Sequence, residues 1–202
     1  MKALIGLTGK SGSGKSYAAA LFQKWGAFVC DCDEIAHELL KNEEIKSKLI
    51  HAFGAEILQG GEIDRKALGQ IVFSDSEELL KLNAIVHPAV IERVMSLCEA
   101  SHCDICVMDG SELEASGADR LCNAIIVIEC NEEIRLERII KRDAISRESA
   151  LLRMKAQKGY TKNAIRIQNN GTAKEFEAEL YKIYTHICEL NQCGSKNSCA
   201  EF

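Results

Sequence analysis

The sequence predicts an α/β chain in which a five-stranded parallel sheet is flanked by helices. Three observations carry that expectation. Short apolar runs rich in Val and Ile alternate with longer segments of helical period, the pattern of crossover helices covering a parallel sheet. The first of these runs leads straight into a glycine loop, GKSGSGKS at residues 9–16. One long interval, residues 34–101, offers helical patterns and no convincing strand, so a helical subdomain is inserted after the second strand.

The first strand is KALIGLT, residues 2–8, and the YAAALFQKW that follows the loop is helical. Strand, glycine loop and helix are the context that G-x-x-x-x-G-K-[ST] requires. Gly9, Gly12 and Gly14 permit backbone angles and close approaches that a side chain forbids, so successive N–H groups can turn inward as an anion nest. The helix beginning near Gly14 adds its positive end. Ser11, Gly12, Ser13, Gly14, Lys15 and Ser16 therefore read as the cradle of a nucleoside triphosphate, with Lys15 reaching the β and γ phosphates and the Ser16 hydroxyl ligating Mg²⁺.

The second strand, AFVCD at residues 27–31, opens the stretch VCDCDEIAHELL, where Cys30, Asp31, Cys32, Asp33 and His37 resemble a metal trap. Alternate residues of a strand point to opposite faces, so these groups cannot converge on one ion without a bend. Asp31 and Asp33 fall instead at the carboxyl end of a strand, where doubly wound sheets bind ligands. Asp33 could cap the next helix; the sharper reading has it orienting and deprotonating an acceptor hydroxyl.

Within the insertion, EEIKSKLIHAF, RKALGQIVF and SEELLKLNAIVHPAVIERVMSLCEA have helical period. Ser74 with Glu77 suggests a capping box before the last, and Pro88 predicts that this helix ends or kinks at His87. The third, fourth and fifth strands are DICVMD (104–109), NAIIVIE (123–129) and AIRIQN (164–169), and Asp109 is a candidate outer-shell contact for Mg²⁺. After the fourth strand, Arg135, Arg138 and Arg142 share one helical face, with Arg147 and Arg153 beyond: an arginine-bearing lid that would exclude water from a phosphoryl group. Thr172 with Glu175 caps a last helix that presents Phe176, Leu180, Ile183, Tyr184 and Ile187 to the sheet. Residues 191–202, with Cys193 and Cys199, read as a disordered tail.

At 202 residues the chain suits one core domain with an insertion, and a formal charge of -5 argues against a protein that coats nucleic acid or anionic membrane. The amino-terminal apolar run is too short for a signal peptide, and no stretch approaches the roughly 20 apolar residues of a membrane span. We expect a cytoplasmic protein, a monomer or weak homo-oligomer. Its ten cysteines then read as reduced thiols, and the one C-x-x-C, Cys103 and Cys106, runs into an apolar strand and lacks the second pair a zinc site wants. Neither the Asp-x-x-Gly nor the Asn-Lys-x-Asp of a GTPase occurs, and a motor or transport ATPase would normally be larger and multidomain, which leaves a small-molecule kinase.

The blocks LTGKSGSGKS, DCDEIAHELL, HAFGAEIL, EIDRKALGQIVFSD, LNAIVHP, KRDAISRESALLRMKAQ and QNNGT keep order and spacing over about residues 1–172. Together they resemble the bacterial dephospho-coenzyme A kinases. The resemblance implies a P-loop kinase with a core of residues 1–33, 102–137 and 161–190, a helical acceptor-binding insertion at 34–101 and a lid at 138–160. It implies ATP and Mg²⁺, and transfer of the γ-phosphoryl group to the ribose 3′-hydroxyl of dephospho-coenzyme A, the last step of coenzyme A biosynthesis. Lys15, Asp33 and Arg142 would be catalytic, Arg138 would join the loop in binding ATP, and Asp33, Arg65 and His87 would contact the acceptor. Two departures stand out. Tyr17 replaces the family's usual Thr, and Ser111, Glu112, Leu113, Glu114 and Ala115 replace an apolar Pro-Leu-Leu-Phe-Glu. Two added carboxylates would repel a pyrophosphate unless they face solvent or are paired. The alternatives are a kinase of another small hydroxyl or nucleoside monophosphate, and a nucleotide-binding regulator without transfer activity.

Overall fold

An apolar run covered on both sides belongs in the middle of a parallel sheet, and the run near the amino end takes that place in the computed structural model of the chain, which describes residues 2–196. In chain order the strands are β1 Ala3–Gly9, β2 Phe28–Asp31, β3 Leu58–Gln59, β4 Glu62–Ile63, β5 Ile105–Asp109, β6 Ala124–Glu129 and β7 Ile165–Gln168. The α-helices are α1 Lys15–Lys24, α2 Cys32–Leu39, α3 Glu43–Phe53, α4 Arg65–Ser74, α5 Ser76–Ala100, α6 Leu113–Ser116, α7 Glu132–Asp143, α8 Arg147–Lys155 and α9 Ala173–Lys196. The chain divides into two units, one of Asp31–Ala100 and the other of the segments on either side.

In the flanking-segment unit the sheet runs β2-β5-β1-β6-β7, with Ile5 opposite Val107 on one side and Ala124 on the other, all in parallel. The Val and Ile runs therefore meet across the sheet. Ile5, Leu7, Val107, Ile126, Ile128 and Ile167 are buried with Leu21 and Phe22 of α1 and Phe176, Leu180 and Ile187 of α9. Tyr184 extends that face, its hydroxyl donating to the Trp25 carbonyl at 2.8 Å. The expected cap is present: Glu175 N–H donates to Thr172 Oγ1 at 3.3 Å, and Thr172 N–H to Glu175 Oε2 at 2.8 Å. Helix α9 continues to Lys196, past the point where a disordered tail was expected to begin; the Cys193 side chain and Cys199 lie outside the described residues. No helix among the described residues is long and apolar enough to cross a membrane.

The Asp31–Ala100 unit holds α2 to α5 around Ile45, Leu49, Phe53, Ile57, Leu68 and Val72. Two sequence expectations fail here, and one alternative of a third is excluded. A two-stranded antiparallel hairpin, Leu58 opposite Ile63 and Gln59 opposite Glu62, occupies an interval read as strand-free. Its strands are two residues long, too short for alternation to show; the signal was Gly60-Gly61, whose φ angles of 61° and 86° suit a tight hairpin turn. Helix α5 does not end at His87 but runs through Pro88 to Ala100, which leaves a kink as the alternative the sequence offered. A proline removes one i to i−4 hydrogen bond, and burial of Val86, Val90, Val94 and Cys98 along the same helix offsets that loss. Ser74 does not cap α5: it ends α4, its hydroxyl donating to the Ile71 carbonyl, while Asp75 accepts from Glu77 N–H at 2.8 Å. The carboxylate one residue nearer the helix displaces the hydroxyl. Leu49 is fully buried, so Leu49→Ala should cost about 2–5 kcal/mol in urea unfolding, and a loss below about 1 kcal/mol would contradict this packing.

Candidate active site

The loop between β1 and α1 is shaped by two glycines that tolerate no replacement. Gly12 has φ 79° and Gly14 φ 101°; a Cβ on Gly12 would lie 2.7 Å from the Arg135 carbonyl oxygen, and one on Gly14 2.2 Å from Asn169 Nδ2. The loop carbonyls are drawn outward one after another. Ser11 O accepts from Arg135 Nε at 2.9 Å, Gly12 O from Arg138 Nη1 at 3.2 Å, and Ser13 O from Asn169 Nδ2 at 2.7 Å. Of these three peptide units, those carrying the Gly12 and Gly14 N–H groups can present them to the loop interior as an anion nest requires, while the Ser13 N–H donates to the Lys10 carbonyl at 3.0 Å. Gly14 begins α1 with no side-chain cap and no acidic residue follows in the first turn, so the positive end of that ten-residue helix is left to an anion. The buried Ser13 hydroxyl also has no hydrogen-bond partner among the described residues.

Two of the expected site residues meet directly. Lys15 Nζ, at the start of α1, forms an ion pair with Asp109 at the end of β5, whose residue is only 4% exposed. Ser16 stands beside Lys15 in the first turn of α1. A hydroxyl and a carboxylate are the hard oxygen donors that Mg²⁺ takes, usually with phosphates and water completing its shell. Among the described residues no group of three or more His, Cys, Asp and Glu side chains could hold a metal by itself. The donor set thus fits an ion delivered with a polyphosphate.

Helix α7 bears the arginine stripe. Arg135 is buried, and that burial pushes its guanidinium below the usual value. Arg138 spans the loop and the end of β7, reaching Gly12 O and, at 3.3 Å, Asn169 O. Arg142 is exposed, donates to Ser11 Oγ at 3.1 Å, and pairs through two nitrogens with Asp143, whose carboxyl that bond holds below the usual range. Beyond it, Arg153 reaches Asp143 at 2.5 Å and Arg147 reaches Glu133 at 3.3 Å. Leu136 and Ile139 of α7 pack with Ala150 of α8, so the two helices form a hydrophobic pair.

In the other unit the stretch that resembled a metal trap divides into separate tasks. Asp31 rather than Asp33 caps α2, its Oδ1 accepting from Asp33 N–H at 2.9 Å and Glu34 N–H at 3.0 Å. Asp33 sits in the first turn with its carboxylate outside the cap. His37 Nε2 lies 2.8 Å from Arg65 Nη2. An arginine nitrogen can only donate, so that ring nitrogen accepts. His87 is half-buried within α5.

Sequence reasoning gave no role to Asn169 and Gln157, which hold the loop from the end of β7 and from the segment after α8; Gln157 Oε1 accepts from Ser11 N–H at 2.9 Å. A polar residue at the carboxyl end of a strand was the available signal for Asn169. The two carboxylates of the Ser111 to Ala115 segment are also accounted for: Glu112 faces solvent and Glu114 accepts from Thr161 N–H and Oγ1 at 2.8 and 2.5 Å.

A phosphate loop backed by an arginine helix is common to many kinases, and comparison with known proteins separates them. The family model for dephospho-CoA kinase matches residues 3–175. The chain belongs to the dephospho-CoA kinase family. A dephospho-CoA kinase from Fusobacterium nucleatum subsp. nucleatum is 37% identical over 191 residues, covering 92% of this chain and 97% of that protein. Among solved structures, one from Thermus thermophilus superposes with a TM-score of 0.78 at 30% identity over 92% of this chain and 97% of its own. Dephospho-CoA kinase from Campylobacter jejuni gives 0.67 at 27% identity, over 95% and 100%. The α/β fold with its five-stranded parallel sheet is that of this kinase family.

Proposed function

We infer that the chain transfers the γ-phosphoryl group of ATP to the ribose 3′-hydroxyl of dephospho-coenzyme A, giving coenzyme A and ADP. The observation that carries this reading is the phosphate loop itself: three consecutive carbonyls held outward, an uncapped helix start, and Lys15 poised on Asp109. Lys15 and the loop N–H groups bind the β and γ phosphates and stabilise the charge that develops as the bond to the leaving oxygen breaks. Ser16 and Asp109 would hold Mg²⁺, which when bound neutralises charge on those phosphates. Arg142, the most exposed of the stripe, supplies positive charge from the end of α7, where the lid begins, and helps exclude water. In the Asp31–Ala100 unit, Asp33 takes the proton of the attacking hydroxyl, while Arg65, steadied by His37, and His87 bind the acceptor.

The test is to incubate the protein with Mg-ATP and a panel of acceptors: dephospho-coenzyme A, nucleoside monophosphates, shikimate and gluconate. ADP release dependent on dephospho-coenzyme A is expected; release with another acceptor only, or ATP binding with no release, would overturn the reading in favour of a different kinase or a regulator. For the loop itself, Arg138→Ala should lower kcat/KM for ATP about 30-fold, because charged donors to Gly12 O and Ser13 O are lost. Arg138→Lys should not rescue it, since one ammonium cannot reproduce the planar fork that also reaches Asn169 O. An unchanged kcat/KM in steady-state assays would show that the loop holds its shape without this arginine.

A further inference from the structure

Residues 157–162, which lead from α8 toward β7, are fastened at both ends within the same unit. At one end Gln157 Oε1 accepts from Ser11 N–H at 2.9 Å and from Arg135 Nη2 at 3.3 Å, and a Cβ on Gly159 would lie 3.0 Å from Lys10 Cε. This end lies on the phosphate loop. At the other end Thr161 donates twice to Glu114, Tyr160 donates to Asp119 Oδ2 at 3.2 Å, and Lys162 pairs with the same oxygen. Arg166 braces the segment from below, donating to the Tyr160 carbonyl at 3.0 Å. The result is a strap joining the phosphate loop to the segment that follows β5.

The fastening on the β5 side has an unusual cost. Asp119 is 8% exposed, and its Oδ1 has no hydrogen-bond partner among the described residues. A buried carboxylate is tolerated only where it is paired, and among the described residues the hydrogen bonds to the Asp119 side chain all fall on the oxygen facing the strap. Burial works to raise its pKa, but the bonds from Lys162 and Tyr160 outweigh burial and hold it below the usual range; burial and the Asp119 bond push the Tyr160 phenol up to about 12. Tyr160 thus stays a neutral phenol, able to donate, over the working pH range. Glu114 stands where the family resemblance leads one to expect Phe, which has no acceptor for the Thr161 N–H. The substitution brings an anchor for the strap along with the added charge.

We propose that Glu114 and Asp119 are positioning residues for ATP binding, acting through the strap 157–162 to hold Gln157 against Ser11 and Arg135. The inference rests on the reading of the loop as the ATP site. Charge in the Ser111 to Ala115 segment then serves the nucleotide side of the reaction.

The test uses the full chain with Glu114→Leu, Glu114→Gln and Thr161→Val, each first shown folded by its melting curve. In Glu114→Leu, hydrogen–deuterium exchange of the 157–162 amides and of Ser11 should quicken about tenfold, the scale set by losing the two exposed hydrogen bonds from Thr161. KM for ATP should rise about three- to tenfold, with kcat and KM for dephospho-coenzyme A within twofold. Glu114→Gln, which keeps an acceptor oxygen, should recover most of the loss, and Thr161→Val should show a smaller version if the Leu variant fails to fold. Unchanged exchange would show that there is no strap. Faster exchange with unchanged KM for ATP would leave it a structural clasp and overturn the positioning role. Because exchange is read without turnover, absence of kinase activity in the parent protein would count against the proposed reaction and not against the strap.

Discussion

Lys15→Ala should lower kcat by about 10³-fold, the scale of losing one preorganised donor to a transferring phosphoryl group and the charge it carries. Two effects add. The variant has no ammonium for the β and γ phosphates, and Asp109, 4% exposed at the end of β5, loses its ion pair with Lys15 and leaves more negative charge where a polyanion must enter. The second effect has its own signature. Asp109→Asn in the Lys15→Ala background should recover part of the affinity for metal-free ATP, measured by calorimetric titration without Mg²⁺, while kcat with Mg-ATP stays low. Retention of most of the activity in Lys15→Ala would remove the loop from the mechanism.

For Asp33→Asn we expect kcat to fall about 10²- to 10³-fold with KM for ATP within about threefold, as for loss of a general base. The architecture of α2 makes this variant unusually clean. Asp31, not Asp33, satisfies the first N–H groups of the helix, so removing the Asp33 charge leaves the cap in place. The reciprocal variant separates the two roles: Asp31→Ala should cost about 1 kcal/mol of stability with little change in kcat. If Asp31→Ala proved the kinetic lesion and Asp33→Asn were silent, the base would have been assigned to the wrong carboxylate.

What could be read from the chain alone was what short-range chemistry dictates. Five apolar runs, one glycine loop and a reciprocal Thr172 and Glu175 cap each depend on a few neighbouring residues, and each is where the sequence puts it. The arginine stripe was legible because a helical period places Arg135, Arg138 and Arg142 on one side. The failures have a common cause, competition that local rules do not rank. Asp75 outcompetes Ser74 for the same amides, and side-chain burial along α5 offsets the hydrogen bond that Pro88 removes, so the helix does not end there. The contacts that shape the loop were out of reach for another reason: Ser13 to Asn169 and Ser11 to Gln157 bridge 156 and 146 residues, and no periodicity encodes such pairs.

The most direct measurement is the identity of the product formed from Mg-ATP and dephospho-coenzyme A. Mass spectrometry should show one added phosphoryl group, and phosphorus NMR a new monoester resonance coupled to the ribose H3′, growing in step with ADP. A phosphoryl group on any other oxygen, or ADP formed with the dephospho-coenzyme A unchanged, would contradict the account.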